Sequence, residues 1–477
     1  MKLGEEQIAA VVQRVVAKMA ANAPSAAPAP RGANAQDGHF GTIAEAVAAA
    51  KTAYNTLEDR PLALREKILD AMRIAALAEV ENISRMAVEE TGMGRVEHKI
   101  LKNRLAITKT PGLEILRPQA FTGDYGLTLT ELAPYGVIGT ITPCTNPTET
   151  IINNSIGMIA AGNAVVVNAH PTAKNVTLYT IAFLNRAIVA AGGPANLIAT
   201  VDTPTIATAN ELMKHPDIAL LVVTGGPAVV KAAMGSGKKV IAAGPGNPPV
   251  VVDETADVAS AAKHIVDGAS FDNNIVCIVE KEIIAVDSIA DRLVEELKKA
   301  GAYFLNQHQL RRLEKKIIDR APTCSGDHGV VNKEWVGKDA HRILQAIDVD
   351  AKDNIRLVVA EVPKEHPIVQ MELLMPVLGL VRVKNVDEAI ATAIEVEHGF
   401  RHTAVMHSRN IEHLSRMARA VNTSIFVKNG PSTAGLGFGG EAYTSFTIAS
   451  PTGEGLTNAT HFTRERRCTL KDSFRII

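Results

Sequence analysis

The chain has 477 residues, of which 50 are basic and 51 are acidic, so its formal net charge is −1 at pH 7. Hydrophobic residues make up 46% of the chain and charged residues 21%, as in an ordinary globular protein, and the length predicts two or three domains. This balanced charge excludes an electrostatic attraction to nucleic acid or to an anionic membrane, and we expect neither as a partner. No apolar run is long enough to span a bilayer, so the sequence predicts a cytoplasmic protein.

An amphipathic pattern opens the chain. Within residues 5–19 the apolar side chains recur at helical spacing, at Ile8, Val11, Val12, Val15 and Met19. An Ala/Pro-rich linker follows over residues 21–39 and is expected to be extended and semi-rigid. The apolar stripe must be buried somewhere, either on the protein's own globular part or on another protein. The residues alone leave both interpretations open.

The globular part begins with helices and continues as alternating strands and helices. Thr42 and Glu45 form a plausible capping box, and the helical pattern continues to about Lys109. Strands are then predicted at 137–142, 164–168, 196–201, 218–224 and 240–243, with helices between them that include 150–161 and 174–191. A second α/β stretch covers residues 250–420. This order predicts parallel sheets and an α/β fold with a doubly wound domain.

Two predicted strand ends carry residues suited to a ligand site, because parallel sheets bind ligands at the carboxyl ends of their strands. The first end continues as residues 142–149 and the second as Thr224, Gly225 and Gly226, where a helix begins. Glycines at a helix N-terminus allow backbone N–H groups to approach a phosphate. Neither the GxGxxG pattern nor a Walker A loop is present. A simple tight turn at this glycine pair remains an alternative.

The cysteines and histidines are considered for chemistry next. Four cysteines, Cys144, Cys277, Cys324 and Cys468, are widely spaced without a CxxC pair, which argues against a disulfide framework or a zinc ribbon. A lone cysteine such as Cys277 is most often a small buried hydrophobe. Cys144 competes with it because it stands beside Asn146 at a strand end. His398 and His402 are four residues apart, but Gly399 lies between them and no HExxH motif occurs, so we expect no metal site.

Seven segments, taken together and in order, resemble the aldehyde dehydrogenase superfamily, and more closely its CoA-acylating branch. They are TPCTNPTET (142–150), VVTGGP (222–227), GPGNPPVVVD (244–253), SFDNNIVC (270–277), ELLMPV (372–377), HTAVMH (402–407) and VKNGP (427–431). Their order and spacing match from about residue 40 to the end. The greatest likeness is to the CoA-dependent propionaldehyde dehydrogenases of bacterial microcompartments.

The resemblance implies a role for each candidate residue. Cys277 falls at the family's nucleophile position, Asn146 and the Cys277 N–H would hold the oxyanion, and Cys144 falls at a variable position. His402 is a possible catalytic helper in this branch, with a structural role as the alternative. The positions implied for NAD are Thr142 and Pro143 in the asparagine motif, Asn168 and His170 for the adenosine half, Thr224, Gly225 and Gly226 for the pyrophosphate, and Glu372 for the nicotinamide ribose.

One departure from the hydrolytic members indicates the acyl acceptor. Those members carry a glutamate base in the segment where this chain has Ala242 and Ala243, and alanine does not activate water. The thioester on the cysteine is therefore expected to wait for CoA, because thioester exchange with a thiol is nearly isoenergetic. The reaction implied is the conversion of a short-chain aldehyde, with propionaldehyde favoured, CoA and NAD to acyl-CoA and NADH. A hydrolytic aldehyde dehydrogenase and a catalytically minor scaffold are the alternatives.

The resemblance also implies a domain organisation and partners. The expected parts are a targeting helix (1–20), the linker (21–39), an NAD-binding domain (40–245), a catalytic domain (246–440) and a C-terminal return segment (441–477). A hairpin at 120–133 and a strand region near 444–465 would form a small β element for a homo-oligomer. Family members in microcompartments carry N-terminal helices for encapsulation, so residues 5–19 are expected to bind a shell protein and to place the enzyme inside a microcompartment.

Overall fold

The computed structural model of the protein describes residues 37–323 and 328–477. The predicted amphipathic helix at 5–19 and most of the linker lie outside the described residues, as does Cys324. Across the part of the chain that is described, no helix combines the length and the apolar character that crossing a bilayer requires.

A short strand and three helices open the described chain. They are β1 (His39–Phe40), α1 (Ile43–Glu58), α2 (Leu62–Thr91) and α3 (Val96–Lys109). The predicted capping box is confirmed, because the Glu45 N–H donates to Thr42 Oγ1 at 3.2 Å and the Thr42 N–H donates to the Glu45 carboxylate at 3.0 Å. Helix α2 ends at Gly92, whose φ of 66° is the left-handed conformation that glycine adopts without strain.

The first domain is built around a six-stranded parallel sheet. After the hairpin strands β2 (Gln119–Gly123) and β3 (Gly126–Pro134) come β4 (Val137–Ile141), α4 (Pro147–Ala160), β5 (Ala164–Asn168), α5 (Lys174–Ala190), β6 (Ile198–Val201), α6 (Ile206–Lys214), β7 (Ile218–Thr224), α7 (Pro227–Met234) and β8 (Lys239–Ala243). The strand order β1-β6-β5-β4-β7-β8 is that of a doubly wound sheet. The predicted strands are confirmed within two residues. Helix α4 begins three residues earlier than predicted, because Pro147 suits the first helical turn.

The second domain contains a seven-stranded parallel sheet. Its part of the chain comprises β9 (Pro249–Val252), α8 (Val258–Ala269), β10 (Glu282–Val286), α9 (Asp287–Lys299), β11 (Ala302–Phe304), α10 (Gln307–Ile317), β12 (Ile318–Arg320), β13 (Val330–Val331), α11 (Ala340–Gln345), β14 (Leu357–Glu361), α12 (Pro367–Gln370), β15 (Val377–Val383), α13 (Val386–Val396), β16 (Thr403–His407), α14 (Ile411–Val421) and β17 (Ile425–Lys428). The strand order is β11-β14-β15-β10-β9-β16-β17. The boundary expected at residue 245 lies in the connection between β8 and β9 and stays a prediction.

A three-stranded antiparallel sheet completes the fold. After β18 (Ile448–Ala449) and β19 (Gly455–Leu456), strand β20 (Thr463–Lys471) pairs with β3, which also pairs with β2. The hairpin is confirmed, but the long C-terminal strand predicted near 444–465 was placed too early. The earlier residues are tied elsewhere, since the Phe446 N–H donates to Asn153 Oδ1 at 3.0 Å and Ser445 Oγ donates to the Thr447 carbonyl at 3.0 Å. Such side-chain bonds to nearby backbone compete with strand pairing.

The two parallel sheets present opposite edges to the candidate site. Residues 142–146 and 224–226 follow the carboxyl ends of β4 and β7 in the first sheet. In the second sheet, a candidate residue precedes the amino end of each of four strands. Gly246 precedes β9, Cys277 precedes β10, Glu372 precedes β15 and His402 precedes β16. These four strands are neighbours in the order β15-β10-β9-β16. The predicted site residues therefore come from two edges, although they are scattered along the sequence.

Candidate active site

The first edge lies at the point where the six-stranded sheet changes its winding direction. Strand β4 pairs with β5 on one side and with β7 on the other, and Ile141 at its end is opposite Val223. Thr142 and Thr224 thus follow adjacent strand ends. This crevice is where doubly wound sheets bind dinucleotides.

Of the glycine pair after β7, Gly226 leaves its backbone accessible. A Cβ on Gly226, the residue that caps helix α7, would have no atom within 4 Å, whereas a Cβ on Gly225 would lie 2.7 Å from Val229. Thr142 Oγ1 is buried without a hydrogen-bond partner among the described residues. Thr224 Oγ1 is 2.9 Å from Thr447 Oγ1, which fixes this strand end against the C-terminal segment. The Gly225 N–H donates to the Ala243 carbonyl at 3.4 Å, so the open backbone at Gly226 and the unpaired Thr142 hydroxyl are the groups that fit a pyrophosphate.

Asn168 and His170, predicted for the adenosine half, follow the end of β5. Asn168 is buried and its Oδ1 accepts from Thr208 Oγ1 at 2.7 Å, so this side chain supports helix α6. His170 is exposed and caps a short 3-10 turn, with Nδ1 at 2.8 Å from Thr172 Oγ1. Both lie on the cofactor edge with Pro143, and their contacts with a dinucleotide stay predictions.

The segment before Cys277 has an unusual backbone. Asp272, Asn273 and Asn274 are three consecutive non-glycine residues with positive φ, of 49°, 52° and 67°. Each such residue costs about 1–3 kcal/mol and persists only when its surroundings hold it, which is common at active sites. We refer to residues 270–277 as the cysteine loop.

Buried side chains hold the cysteine loop in this conformation. Asn274 Nδ2 donates to the carbonyls of Ala269, at 2.7 Å, and Glu280, at 2.9 Å. Lys281 Nζ donates to both the carbonyl and the Oδ1 of Asn274 at 2.7 Å. Asn273 Nδ2 donates to the Gly337 carbonyl at 2.9 Å. These bonds offset the backbone strain and fix the position of Cys277.

Cys277 is half-buried at the end of this loop. Burial raises the pKa of its thiol to about 12, and the nearby Glu372 carboxylate acts in the same direction. The ammonium groups of Lys281 and Lys102 act in the opposite direction. Burial also raises the pKa of Glu372, against Lys281 and the Gly246 N–H, which favour its charged form. One carboxylate thus opposes ionisation of the thiol, and two ammonium groups favour it.

His402 lies behind the cysteine loop, next to Gly246. A Cβ on Gly246 would lie 2.8 Å from the Cys277 carbonyl oxygen and 3.0 Å from His402 Cγ, so only glycine fits between them. Burial, with Lys281 nearby, lowers the pKa of His402 to about 4, so the ring is neutral at pH 7. Its Nδ1 is 2.9 Å from Thr403 Oγ1, and its Nε2 has no partner among the described residues.

Asn146 is oriented by a residue that the sequence did not indicate. Lys102 on α3 is fully buried and its Nζ donates to Asn146 Oδ1 at 2.6 Å. The same Nζ lies 2.5 Å from Asp272 in the cysteine loop and 3.1 Å from Glu149. Lys102 therefore contacts both Asn146 and the loop that carries Cys277.

A metal site is not built from the histidine pair. His398 follows the end of α13 with a φ of 58°, whereas His402 precedes β16, so the two do not share a helix face. Within residues 37–323 and 328–477, no group of three His, Cys, Asp or Glu side chains could hold a metal ion.

Cys144, the competing nucleophile, is half-buried, and burial raises the pKa of its thiol.

The family model described as the aldehyde dehydrogenase family matches residues 27–463. The chain belongs to this family. Its α/β fold with two parallel sheets is that of the solved family members it resembles.

Relatives within the family are similar over nearly the whole chain. An acetaldehyde dehydrogenase (acetylating) from Escherichia coli is 50% identical over 477 residues, which cover 100% of both chains. A propanal dehydrogenase (CoA-propanoylating) from Salmonella typhimurium is 47% identical and covers 92% of this chain and 93% of its own. The crystal structure of a Rhodopseudomonas palustris propionaldehyde dehydrogenase with bound propionyl-CoA has a TM-score of 0.88 and 52% identity, over 91% of this chain and 96% of that one.

The raised pKa of Cys277 predicts a pH-dependent labelling rate. Only the thiolate is alkylated, and at a thiol pKa of about 12 it is a minor species at neutral pH. In the ligand-free protein, we expect iodoacetamide labelling of Cys277 to accelerate about tenfold per pH unit between about pH 7 and about pH 10. Peptide mass spectrometry measures this rate, with the exposed Cys468 as internal comparison. A plateau near neutral pH would show that the thiolate is already stabilised.

Proposed function

We propose that the protein is a CoA-acylating aldehyde dehydrogenase, which converts a short-chain aldehyde, CoA and NAD to an acyl-CoA and NADH. The observation that carries this proposal is the contact of the buried Lys102 with both Asn146 and Asp272, which lies in the cysteine loop that carries Cys277. A cysteine and an amide donor whose positions are linked through one buried ammonium group suit attack on a carbonyl and stabilisation of the resulting oxyanion. CoA-acylating relatives with near-complete coverage support the same reaction.

Asn146 and Cys277 supply the first covalent step. The Cys277 thiolate adds to the aldehyde carbon, and the carbonyl oxygen becomes an oxyanion on the thiohemiacetal. One N–H of the Asn146 amide donates to Thr145 Oγ1 at 3.2 Å, which leaves the other for the oxyanion. The Cys277 backbone N–H would be the second donor.

The glycines after β7 and Glu372 before β15 would hold NAD. NAD, when bound, accepts a hydride from the reacting carbon. The open backbone at Gly226 suits the pyrophosphate, and the carboxylate of Glu372, which lies near Cys277, suits the nicotinamide ribose. The proposed cofactor edge is completed by four further residues, Thr142, Pro143, Asn168 and His170.

The acyl group then remains on Cys277 as a thioester until CoA arrives. Ala242 and Ala243 are buried at the end of β8 and carry no group that could activate water. The CoA thiolate attacks the thioester carbonyl, and the Cys277 thiolate leaves. His402 is a candidate to take the proton of the incoming thiol, because its neutral ring has an unpartnered Nε2. A purely structural role for His402 remains the alternative.

Product analysis tests this reaction. With aldehyde and NAD but no CoA, we expect a burst of about one NADH per subunit and then little turnover, because the thioester has no acceptor. Adding CoA should restore turnover and yield acyl-CoA in a 1:1 ratio to NADH, measured by absorbance and chromatography. Cys277→Ala should abolish both phases, whereas Cys144→Ala is the matched control and should retain them. Free acid formed at full rate without CoA would instead support a hydrolytic enzyme, and an absence of both products a scaffold.

The same assay over an aldehyde series determines the substrate. Acetaldehyde and propionaldehyde differ by one methylene, which a pocket distinguishes by about 1–3 kcal/mol. The names of the relatives include both aldehydes. Running the series with NAD and with NADP compares the cofactors directly.

We further propose that residues 5–19 direct the enzyme to a bacterial microcompartment. The support is the apolar periodicity of this segment, the Ala/Pro linker after it, and a propionaldehyde dehydrogenase from a Clostridium phytofermentans microcompartment that is 48% identical. Deleting residues 1–20 should leave kcat within about twofold and abolish co-sedimentation with shell proteins. A full-length variant with Val11 and Val15 changed to Ser makes the segment polar without shortening the chain, and it is therefore the control for the change in length. Loss of folding on deletion would favour docking on the enzyme itself.

The three-stranded sheet is proposed to join subunits in a homo-oligomer. Strand β20 is exposed along most of its length, and large apolar side chains on this sheet, including Phe121, Tyr125 and Leu470, are exposed. An exposed surface with several large apolar side chains is typical of an interface. Light scattering should give a mass that is a multiple of 50.7 kDa. Phe121→Ser with Leu470→Ser should lower it, and a wild-type monomer would contradict the proposal.

A further inference from the structure

Lys102 is buried where helix α3 meets both edges of the site. Its side chain has no exposed surface, and its Nζ contacts Asn146 Oδ1 at 2.6 Å, Asp272 at 2.5 Å and Glu149 at 3.1 Å. Burial alone would lower the pKa of Lys102, but the carboxylates of Asp272 and Glu149 raise that pKa above its ordinary value. The side chain is therefore a charged ammonium with a carboxamide oxygen among its three partners.

The contact with Asn146 determines how that amide is oriented. An ammonium donates hydrogen bonds and accepts none, so the Asn146 group facing Lys102 must be the oxygen. The Nδ2 group is then directed away from Lys102, and one of its two N–H bonds is taken by Thr145 Oγ1. Rotation of the amide by 180° would place two donors against each other in a buried site, which is costly.

The contact with Asp272 connects this amide to the cysteine loop. Asp272 accepts from the Arg95 N–H at 2.8 Å and from Lys99 at 3.3 Å as well as from Lys102. Its own N–H donates to His98 Nδ1 at 2.9 Å. Asp272 is also the first of the three left-handed residues that precede Cys277. One ammonium group thus contacts the oxyanion donor and the loop that carries the nucleophile.

We propose that Lys102 is a positioning residue for the oxyanion site, which fixes the Asn146 amide and polarises it for the negative charge that develops on the aldehyde oxygen. A charged donor on Oδ1 makes the Nδ2–H bonds stronger donors, since hydrogen bonds in a chain polarise one another. Preorganised donors of this kind are worth most in a water-excluded site. The proposal rests on the proposed function for its rate measurements, but its labelling measurement does not.

Lys102→Met and Lys99→Met form a matched pair. Both remove a buried ammonium that contacts Asp272, but Lys99 donates to the Thr145 carbonyl at 2.9 Å rather than to Asn146. We expect Lys102→Met to slow the single-turnover NADH burst about 100-fold with little change in aldehyde KM. Lys99→Met should slow it by less than about tenfold for a similar loss of thermal stability.

A double-mutant cycle with Asn146→Ala separates positioning from a general loss of structure. If Lys102 acts through Asn146, adding Lys102→Met to Asn146→Ala should slow the burst by less than about threefold. The proposal would be overturned if the double variant slowed the burst by the product of the two single-variant factors. It would also be overturned if Lys102→Met and Lys99→Met slowed the burst equally. Lys102→Gln, which keeps an N–H donor without the charge, is the second variant if the methionine variant does not fold.

Iodoacetamide labelling of Cys277 gives a readout that needs no turnover. The Lys102 ammonium lowers the pKa of the thiol, so removing its charge should shift the labelling profile to higher pH in both the Met and the Gln variants. A wild-type enzyme that forms no acyl-CoA would refute the proposed function and leave this shift measurable. An unshifted profile in folded variants, together with an unchanged burst, would refute the role of Lys102.

Discussion

The arrangement of the site depends on one buried carboxylate, that of Asp272, which has no exposed surface and accepts from two ammonium groups and a backbone N–H. Its partners come from α3 and from Arg95 just before that helix, and it stands in the cysteine loop, so it connects the helix to the loop. Lys102 and Lys99 lower the pKa of Asp272 to about 2, although burial alone would raise it. Removing one partner of such a buried pair costs about 3–5 kcal/mol, because the other charge is left uncompensated. The cluster therefore constrains the relative position of Asn146 and the cysteine loop more than it adds to stability.

The electrostatics around Cys277 oppose its ionisation. Burial and the Glu372 carboxylate raise the pKa of the thiol, and the Lys281 and Lys102 ammonium groups act in the opposite direction. A low thiolate population limits unwanted alkylation and oxidation, which require the thiolate. Lys102 donates to Asn146, the proposed oxyanion donor, so its charge would favour negative charge that moves from sulfur to the aldehyde oxygen. A site tuned in this way stabilises the charge distribution of the addition step better than that of the resting thiolate.

Sequence patterns predicted much of the fold but only part of the site. The alternation between helical and strand-like spacing of apolar residues located each strand of the first sheet within two residues. This was possible because those strands are apolar runs separated by turn residues. The C-terminal strand was misplaced since residues 463–471 are largely polar and exposed, and their pairing with β3 is a long-range contact. Lys102 and Asp272 were missed because lysine and aspartate are rarely buried. One signal was present, since Lys99, Lys102 and Asn103 lie at helical i, i+3 and i+4 positions where α3 required a buried face.

The division of the site between two sheet edges explains why alanine at 242 and 243 can determine the product. Both residues end β8 in the six-stranded sheet, whereas Cys277, the proposed carrier of the thioester, precedes β10 of the seven-stranded sheet. A base for water would have to extend from the first edge to the second, and an alanine methyl group cannot do so. The residues that hold Asn146 and Cys277 in place are on other elements, α3 and the cysteine loop, and do not depend on this position. The acyl acceptor can therefore change from water to a thiol without any change in the apparatus that forms the thioester.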